Sequence, residues 1–370
     1  MNLFVSYTIP FILFFIGLRA HKSKFVTLLF LVYFWVLMGL NTNSPDYSSY
    51  ERYYLYTSQV NVEWGFAFLC NFFRNLGLTY QQFRMVFAAM YSVLAVVTAK
   101  RLTSHVNYVL AMFLLLPFVL NVSGIRYAFA SVIVCYGVPY LIPRYKRGNL
   151  KYIICMFLAS SIHMSSLFFM VLLFAKKKYK ALQYFFIASA VFLGGILINT
   201  PILMNLVMQY IPNPRLIKWL SSTNTGIGRL NARGFIINIF FVIAFPILLS
   251  KLTNYILGTP RRAFINDISE IEDEQNQKLI LYKNISIYGL LAIPGYFISS
   301  EYQRLLFGML IVYYSVFAEF KYTRLNINKY RKFFYRLVCF MLVVMLLALY
   351  MYSMRSHDVL ATFRDNMLFQ

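Results

Sequence analysis

Apolar residues come in runs of about 15 to 25 along this chain, broken by short polar and basic stretches. Such runs predict helices that cross a bilayer, because about 20 residues at 1.5 Å each span its hydrocarbon core. Ten spans are predicted: 3–18, 25–40, 85–99, 105–121, 125–142, 181–199, 234–250, 279–298, 304–320 and 333–353. The first has no basic stretch ahead of it and no small-residue cleavage site behind it, so it predicts a retained helix. Two further apolar stretches, 64–78 and 151–175, fit either a crossing or an entry and return.

Charge decides between those two. Loops 19–24, 100–105, 143–151, 176–180, 251–283 and 321–336 hold 24 of the 35 Lys and Arg residues. Basic loops stay on the cytoplasmic side. If every stretch crossed once, 143–151 and 176–180, with four bases each, would face opposite sides. Re-entrant hairpins at 64–78 and 151–175 put all six loops on one side. The expected fold is therefore an all-α, polytopic integral membrane protein of about ten transmembrane helices (ten to twelve) with two re-entrant hairpins. Residues 1–370 form a single transmembrane domain, with outer loops at 41–63 and 200–233 and a cytoplasmic loop at 251–280. Irregular backbone at membrane depth survives only inside protein or beside a wet cavity, so the hairpins point to a site.

Composition narrows the class. The 370 residues are 60% hydrophobic and 13% charged, yet carry a net charge of +23. Mean hydropathy is +0.62. A soluble domain is excluded by that charge content. A nucleic-acid binder is excluded too, since its bases would cluster on a polar face and here they punctuate apolar runs. Cys70, Cys135, Cys155 and Cys339 all lie inside apolar runs without CxxC spacing, which predicts small buried hydrophobes. No metal-ligand motif is present and no cofactor is expected.

Four patches carry candidate chemistry. Asp46, Tyr47, Tyr50, Glu63 and Trp64 lie in or beside the first outer loop. Aromatic faces stack on sugar C–H groups, carboxylates accept sugar hydroxyls, and acids near a bilayer are costly without a role. Gly124, Arg126 and Ala128 open a span. Small residues there allow close helix approach, and an Arg against the positive helix end predicts a nearby anion. Ser160, Ser161, His163, Ser165 and Ser166 interrupt the 151–175 stretch, with His163 at the hairpin apex. An imidazole near its intrinsic pKa of about 6.5 suits proton transfer. Arg215, Arg229 and Arg233 lie in the long outer loop, and Glu301 and Arg304 open a later span. Ten of the eleven outward bases are Arg, with Lys218 the exception, whereas the inner loops hold fifteen Lys and nine Arg. Topology does not ask for Arg outside, but bidentate phosphate recognition does.

These patches, in this order, resemble the Wzy-type O-antigen polymerases and the related EpsG-like proteins. The matching residues are Asp46-Tyr47 with Tyr50, Glu63 with Gly65-Phe66, Gly124-Ile125-Arg126 with Ala128 and Ala130, Ile162-His163-Met164-Ser165, and Arg304. Tyr127 departs from the Gln that many relatives carry after the Arg. The resemblance implies a GT-C-like membrane glycosyltransferase at the outer face of the bacterial inner membrane. It would polymerise undecaprenyl-pyrophosphate-linked oligosaccharides into O-antigen or a related surface glycan. Arg126, Arg304, Arg229, Arg233 and Arg215 would bind pyrophosphate. Tyr47, Tyr50, Trp64 and Glu301 would hold sugars. His163, then Glu63, then Asp46 would supply the base. Partners implied are the lipid-linked substrate, membrane lipid and a chain-length regulator protein, and no nucleic acid. A flippase of the lipid-linked unit, or an O-antigen ligase, draws on the same physics.

Overall fold

A computed structural model describes residues 3–176, 188–189, 209, 232–258, 268–293, 303–322, 329–353, 362 and 366–367. Among these the secondary structure is helical, with one isolated bridge pairing Asn41 and Asn366. Three helices are long and apolar enough to cross a membrane, Tyr80–Leu102, Phe240–Gly258 and Arg304–Tyr322, and six shorter apolar segments accompany them. This is a polytopic all-α membrane protein, as the run lengths predict. Nearly all of the expected span 181–199 and of loop 200–233 lies outside the described residues.

The first half is built from α1 (Leu3–Arg19), α2 (Lys24–Gly39), α3 (Tyr47–Leu55), α4 (Trp64–Asn75), α5 (Tyr80–Leu102), α6 (Val106–Phe113), α7 (Val119–Asn121), α8 (Ile125–Gly137) and α9 (Gly148–Ile162). A 3-10 helix, Met164–Lys176, follows α9. The second half adds α10 (Ala232–Gly258), α11 (Ile268–Tyr288), α12 (Gln303–Tyr322) and α13 (Lys329–Ser353). Between α6 and α7 the helix is broken at Leu116, which is extended ahead of Pro117, as the steric demand of a following proline requires. The segment expected as a cytoplasmic loop is largely helical. α10 runs to Gly258, α11 opens at Ile268, and Glu274 of the acidic run pairs with Arg144 and Lys278.

The two hairpin predictions fare differently. Residues 151–175 do turn back: the Tyr152 hydroxyl donates to the Phe169 carbonyl at 2.8 Å, and His163 stands at the turn. Residues 64–78 do not. They form one helix of 12 residues, α4, about 18 Å long. Its end is set by Gly77, whose φ of +80° only glycine adopts cheaply. Leu78 N–H bonds the Phe73 carbonyl and Gly77 N–H the Arg74 carbonyl, closing a Schellman turn. Thr79 then starts α5 with a capping box to Gln82. With the stop at Gly77 and the start at Thr79 separated by a single residue, no chain is left for a return leg.

The bundle has a basic end and an opposite end. At the basic end, the His21 and His105 Nδ1 atoms lie 2.9 Å apart and both rings stack on Tyr322. At the opposite end, α2 finishes, α5 and α8 begin, and the α9 hairpin turns. There α4 packs on α9 through Gly65. A Cβ on Gly65 would lie 2.7 Å from Ser161 Cβ and 2.9 Å from the Ser161 carbonyl oxygen. Gly124, by contrast, has nothing within 4 Å of such an atom, so close helix approach is not its role. Gly65→Ala is therefore expected to cost about 1–3 kcal/mol through overpacking, and Gly124→Ala close to nothing. Thermal unfolding of the purified protein in detergent measures both.

Candidate functional site

Three elements meet at the opposite end of the bundle, and one ion pair joins them. Glu63 precedes α4, Arg126 lies in the first turn of α8, and His163 ends α9. The Arg126 guanidinium pairs with the Glu63 carboxylate, and both side chains are largely buried. Arg126 Nε and Nη2 also donate to the Ile162 carbonyl, each at 3.3 Å. The Met164 N–H donates to Glu63 Oε1 at 3.1 Å. Ile162 and Met164 flank His163, so the pair grips the hairpin turn by one carbonyl and one N–H. Helix ends leave such backbone groups without intrahelical partners, and here two charged side chains supply them. Phe66 and Tyr53 lie against the Arg126 guanidinium at 4.8 and 5.6 Å.

The anion expected near Arg126 is thus present, and it is Glu63. That resolves the conflict with topology and helix dipole without a ligand.

Around this pair stand further groups. The His163 and Ser165 side chains are 2.7 Å apart, from Nδ1 to Oγ. The Tyr127 ring meets the His163 ring edge-on at 5.7 Å, and its hydroxyl donates to the Arg304 carbonyl. Tyr127, the departure from the family pattern, thereby ties α8 to the start of α12. Asp46 sits just before α3, half-buried. Burial raises its carboxyl pKa, and the nearby Arg304 and Arg84 guanidiniums pull it back down. Tyr50 is buried one turn later, within electrostatic reach of Asp46, Arg126 and Arg304. Tyr47 donates from its hydroxyl to Gln81 Oε1 at 3.0 Å.

The histidine's environment changes the reading of the base. Desolvation, then the positive charges of Arg126 and Arg304, push the His163 pKa down to about 3. Its ring is neutral at pH 7, but as a proton acceptor it is weakened. A carboxyl raised by burial is the stronger base of the two. The intrinsic imidazole pKa, on which His163 ranked first, does not survive folding.

The structure brings together Asp46, Tyr50, Glu63, Arg126, His163 and Arg304, residues that the sequence spreads over more than 250 positions. It does not bring Trp64 with them. That ring is 60% exposed and lies against Phe157, itself exposed, as in an interfacial aromatic belt. Arg215, Arg229 and Glu301 lie outside the described residues, as does the side chain of Arg233. One residue was missed, Arg84, which is 0% exposed. Its signal was available: an Arg between Phe83 and Met85, at the mouth of an apolar run.

Two outcomes follow from this geometry. Because breaking a buried ion pair leaves a lone charge, Glu63→Gln and Arg126→Met should each cost about 3–5 kcal/mol. The double variant should lose less than the sum, which a double-mutant cycle on unfolding measures. His163, with a folded pKa below its unfolded 6.5, resists protonation in the native state while the unfolded chain accepts it. Its contribution to stability is full above pH 6.5 and is lost as pH falls from there toward 3. Wild type should therefore lose melting temperature between pH 7 and 4 more steeply than His163→Gln.

No curated protein matches this chain, and no solved structure does. The model of one family, described as the EpsG family, matches residues 24–363, a stretch that contains every residue of the site. The chain belongs to the EpsG family, and with it to the transmembrane machinery of surface-glycan polymerisation.

Proposed function

We propose that this protein is a glycosyltransferase that polymerises lipid-linked oligosaccharide repeat units at the outer face of the bacterial inner membrane, with undecaprenyl pyrophosphate as leaving group. The observation that carries this reading is the gathering of two arginines, two carboxylates and a neutral histidine at the end of the bundle away from most of the lysines. In the transfer, the acceptor sugar's hydroxyl oxygen bonds to the anomeric carbon of the growing glycan. The bond from that carbon to the pyrophosphate oxygen breaks, and its electron pair leaves with the pyrophosphate. The hydroxyl proton passes to a base.

A pyrophosphate leaving group needs its charge stabilised rather than a proton, and guanidinium groups supply that by bidentate hydrogen bonding. Arg126 and Arg304 are the groups in place, with Arg215, Arg229 and Arg233 of the same set. Without substrate Arg126 is paired with the Glu63 carboxylate, and Arg304 stands within electrostatic reach of Asp46. The incoming pyrophosphate competes for those arginines. Once Arg304 turns to it, Asp46 loses a neighbouring positive charge and becomes more basic. Asp46 is accordingly assigned as the base, with Glu63 holding the hairpin and His163 hydrogen-bonding the acceptor as a neutral ring. Tyr47 and Tyr50 face the sugars.

A deletion strain tests the activity on a glycan gel. Loss of a polymerase leaves lipid core bearing one repeat unit, whereas loss of a flippase or ligase leaves bare core, and bare core would overturn the reading. On the residue level, Arg304→Ala and Asp46→Asn at normal protein level should each reduce the ladder to single units. Retention of full-length chains by both would remove them from the mechanism.

A further inference from the structure

Arg84 has no part in the transfer chemistry, yet it is the largest fully buried side chain among the described residues. It lies in the first two turns of α5. Its Nε donates to the Met38 carbonyl at 2.9 Å and its Nη2 to the Val122 carbonyl at 2.7 Å. Those carbonyls belong to the last turn of α2 and to the turn that leads into α8. The guanidinium therefore joins three elements, α2, α5 and the α7–α8 turn, next to the residues that open the site.

Neutral carbonyls do not balance a buried charge. A guanidinium taken out of water needs a counter-charge or a complete set of acceptors. Arg84 Nη1 is buried with no carbonyl or carboxylate acceptor, and the Tyr80 hydroxyl is the polar group beside the guanidinium. The aromatic face of Tyr47 lies 5.5 Å from the guanidinium carbon. The carboxylate it acts on is Asp46, adjacent to Tyr47 in the chain. The charged and titratable groups that face Asp46 are Arg84 from α5, Arg304 from α12 and Tyr50 from α3.

We propose that Arg84 is a positioning residue: it ties the end of α2 to the start of α8, backs the Tyr47 ring, and so keeps a fixed positive charge near Asp46, the residue before Tyr47. Of the two positive charges on Asp46, Arg304 is the one that a pyrophosphate recruits, and Arg84 is the one that cannot leave. Burial and two backbone carbonyls fix it in place. Asp46 thus keeps one permanent counter-charge through the cycle. This deepens the proposed function and rests on Asp46 as its base.

The test separates charge from clamp. Arg84→Met removes both, and Arg84→Lys keeps the charge but loses the fork that reaches two carbonyls at once. Infrared difference titration of the purified protein follows the protonated-carboxyl band that Asp46→Asn abolishes. In Arg84→Met its midpoint should rise by about one pH unit or more. In Arg84→Lys it should stay near the wild-type value while melting temperature falls. With lipid-pyrophosphate repeat units extracted from the deletion strain as substrate, the acid limb of the Arg84→Met rate profile should move to higher pH by the same amount. A merely structural role would lower activity equally at every pH and leave the carboxyl midpoint unmoved, and that result would overturn the proposal. If Arg84→Met does not fold, Arg84→Gln, which keeps N–H donors without charge, carries the same measurement. Wild-type protein that makes no polymer would sink the proposed function instead, while the infrared titration would still judge the Arg84–Asp46 coupling.

Discussion

The buried pair between Arg126 and Glu63 is the interaction on which this end of the molecule depends. A hairpin turn at the end of a membrane helix exposes backbone groups that lipid cannot satisfy. Here the Ile162 carbonyl and the Met164 N–H are such groups, and each receives one member of the pair. The pair alone would scarcely offset its desolvation. Adding the two backbone partners makes it worth keeping, and places His163 between two anchored neighbours. Gly65 completes the arrangement, since any side chain there would push α4 off the hairpin and carry Glu63 with it.

Arg126 is held by the Glu63 carboxylate, while Arg84 and Arg304 both act on Asp46, so three guanidiniums stand against two carboxylates at this end. Under the proposed function, a ligand must outcompete Glu63 for the Arg126 guanidinium, which favours a doubly charged, bidentate group over a carboxylate or chloride. In that proposal a pyrophosphate that drew Arg304 from Asp46 would also make the carboxylate more basic.

Much of the architecture was legible from run lengths and basic loops, because bilayer thickness and charge bias act on sequence directly. The 151–175 hairpin came from charge arithmetic and is present. The 64–78 hairpin came from the same arithmetic and is a single helix, because Gly77 and Thr79 form a stop and a start that hydropathy does not register. Arg126, Glu63, Asp46 and His163 stood out as polar residues in apolar surroundings. Their partnership did not, since the ion pair joins positions 63 residues apart. The lowered basicity of His163 was hidden in the same way: it comes first from burial and then from two arginines on other helices. Arg84 was passed over because one Arg at the edge of a span reads as a boundary marker, and only the fold reveals that it lies inside.

The tail near residue 366 also belongs to this end. Asn366 Nδ2 donates to the Val36 and Leu37 carbonyls at 3.0 and 3.3 Å, and the Met367 N–H to the Leu40 carbonyl at 2.9 Å. These carbonyls lie in the last turn of α2 and at the residue that caps it, where a helix end leaves acceptor capacity over. Met38, whose carbonyl Arg84 holds, lies among them. The frame around Asp46 is therefore closed by chain that leaves the ribosome more than 300 residues after α2. Insertion into the membrane can proceed helix by helix, but this end of the bundle is complete only once that late segment has reached α2.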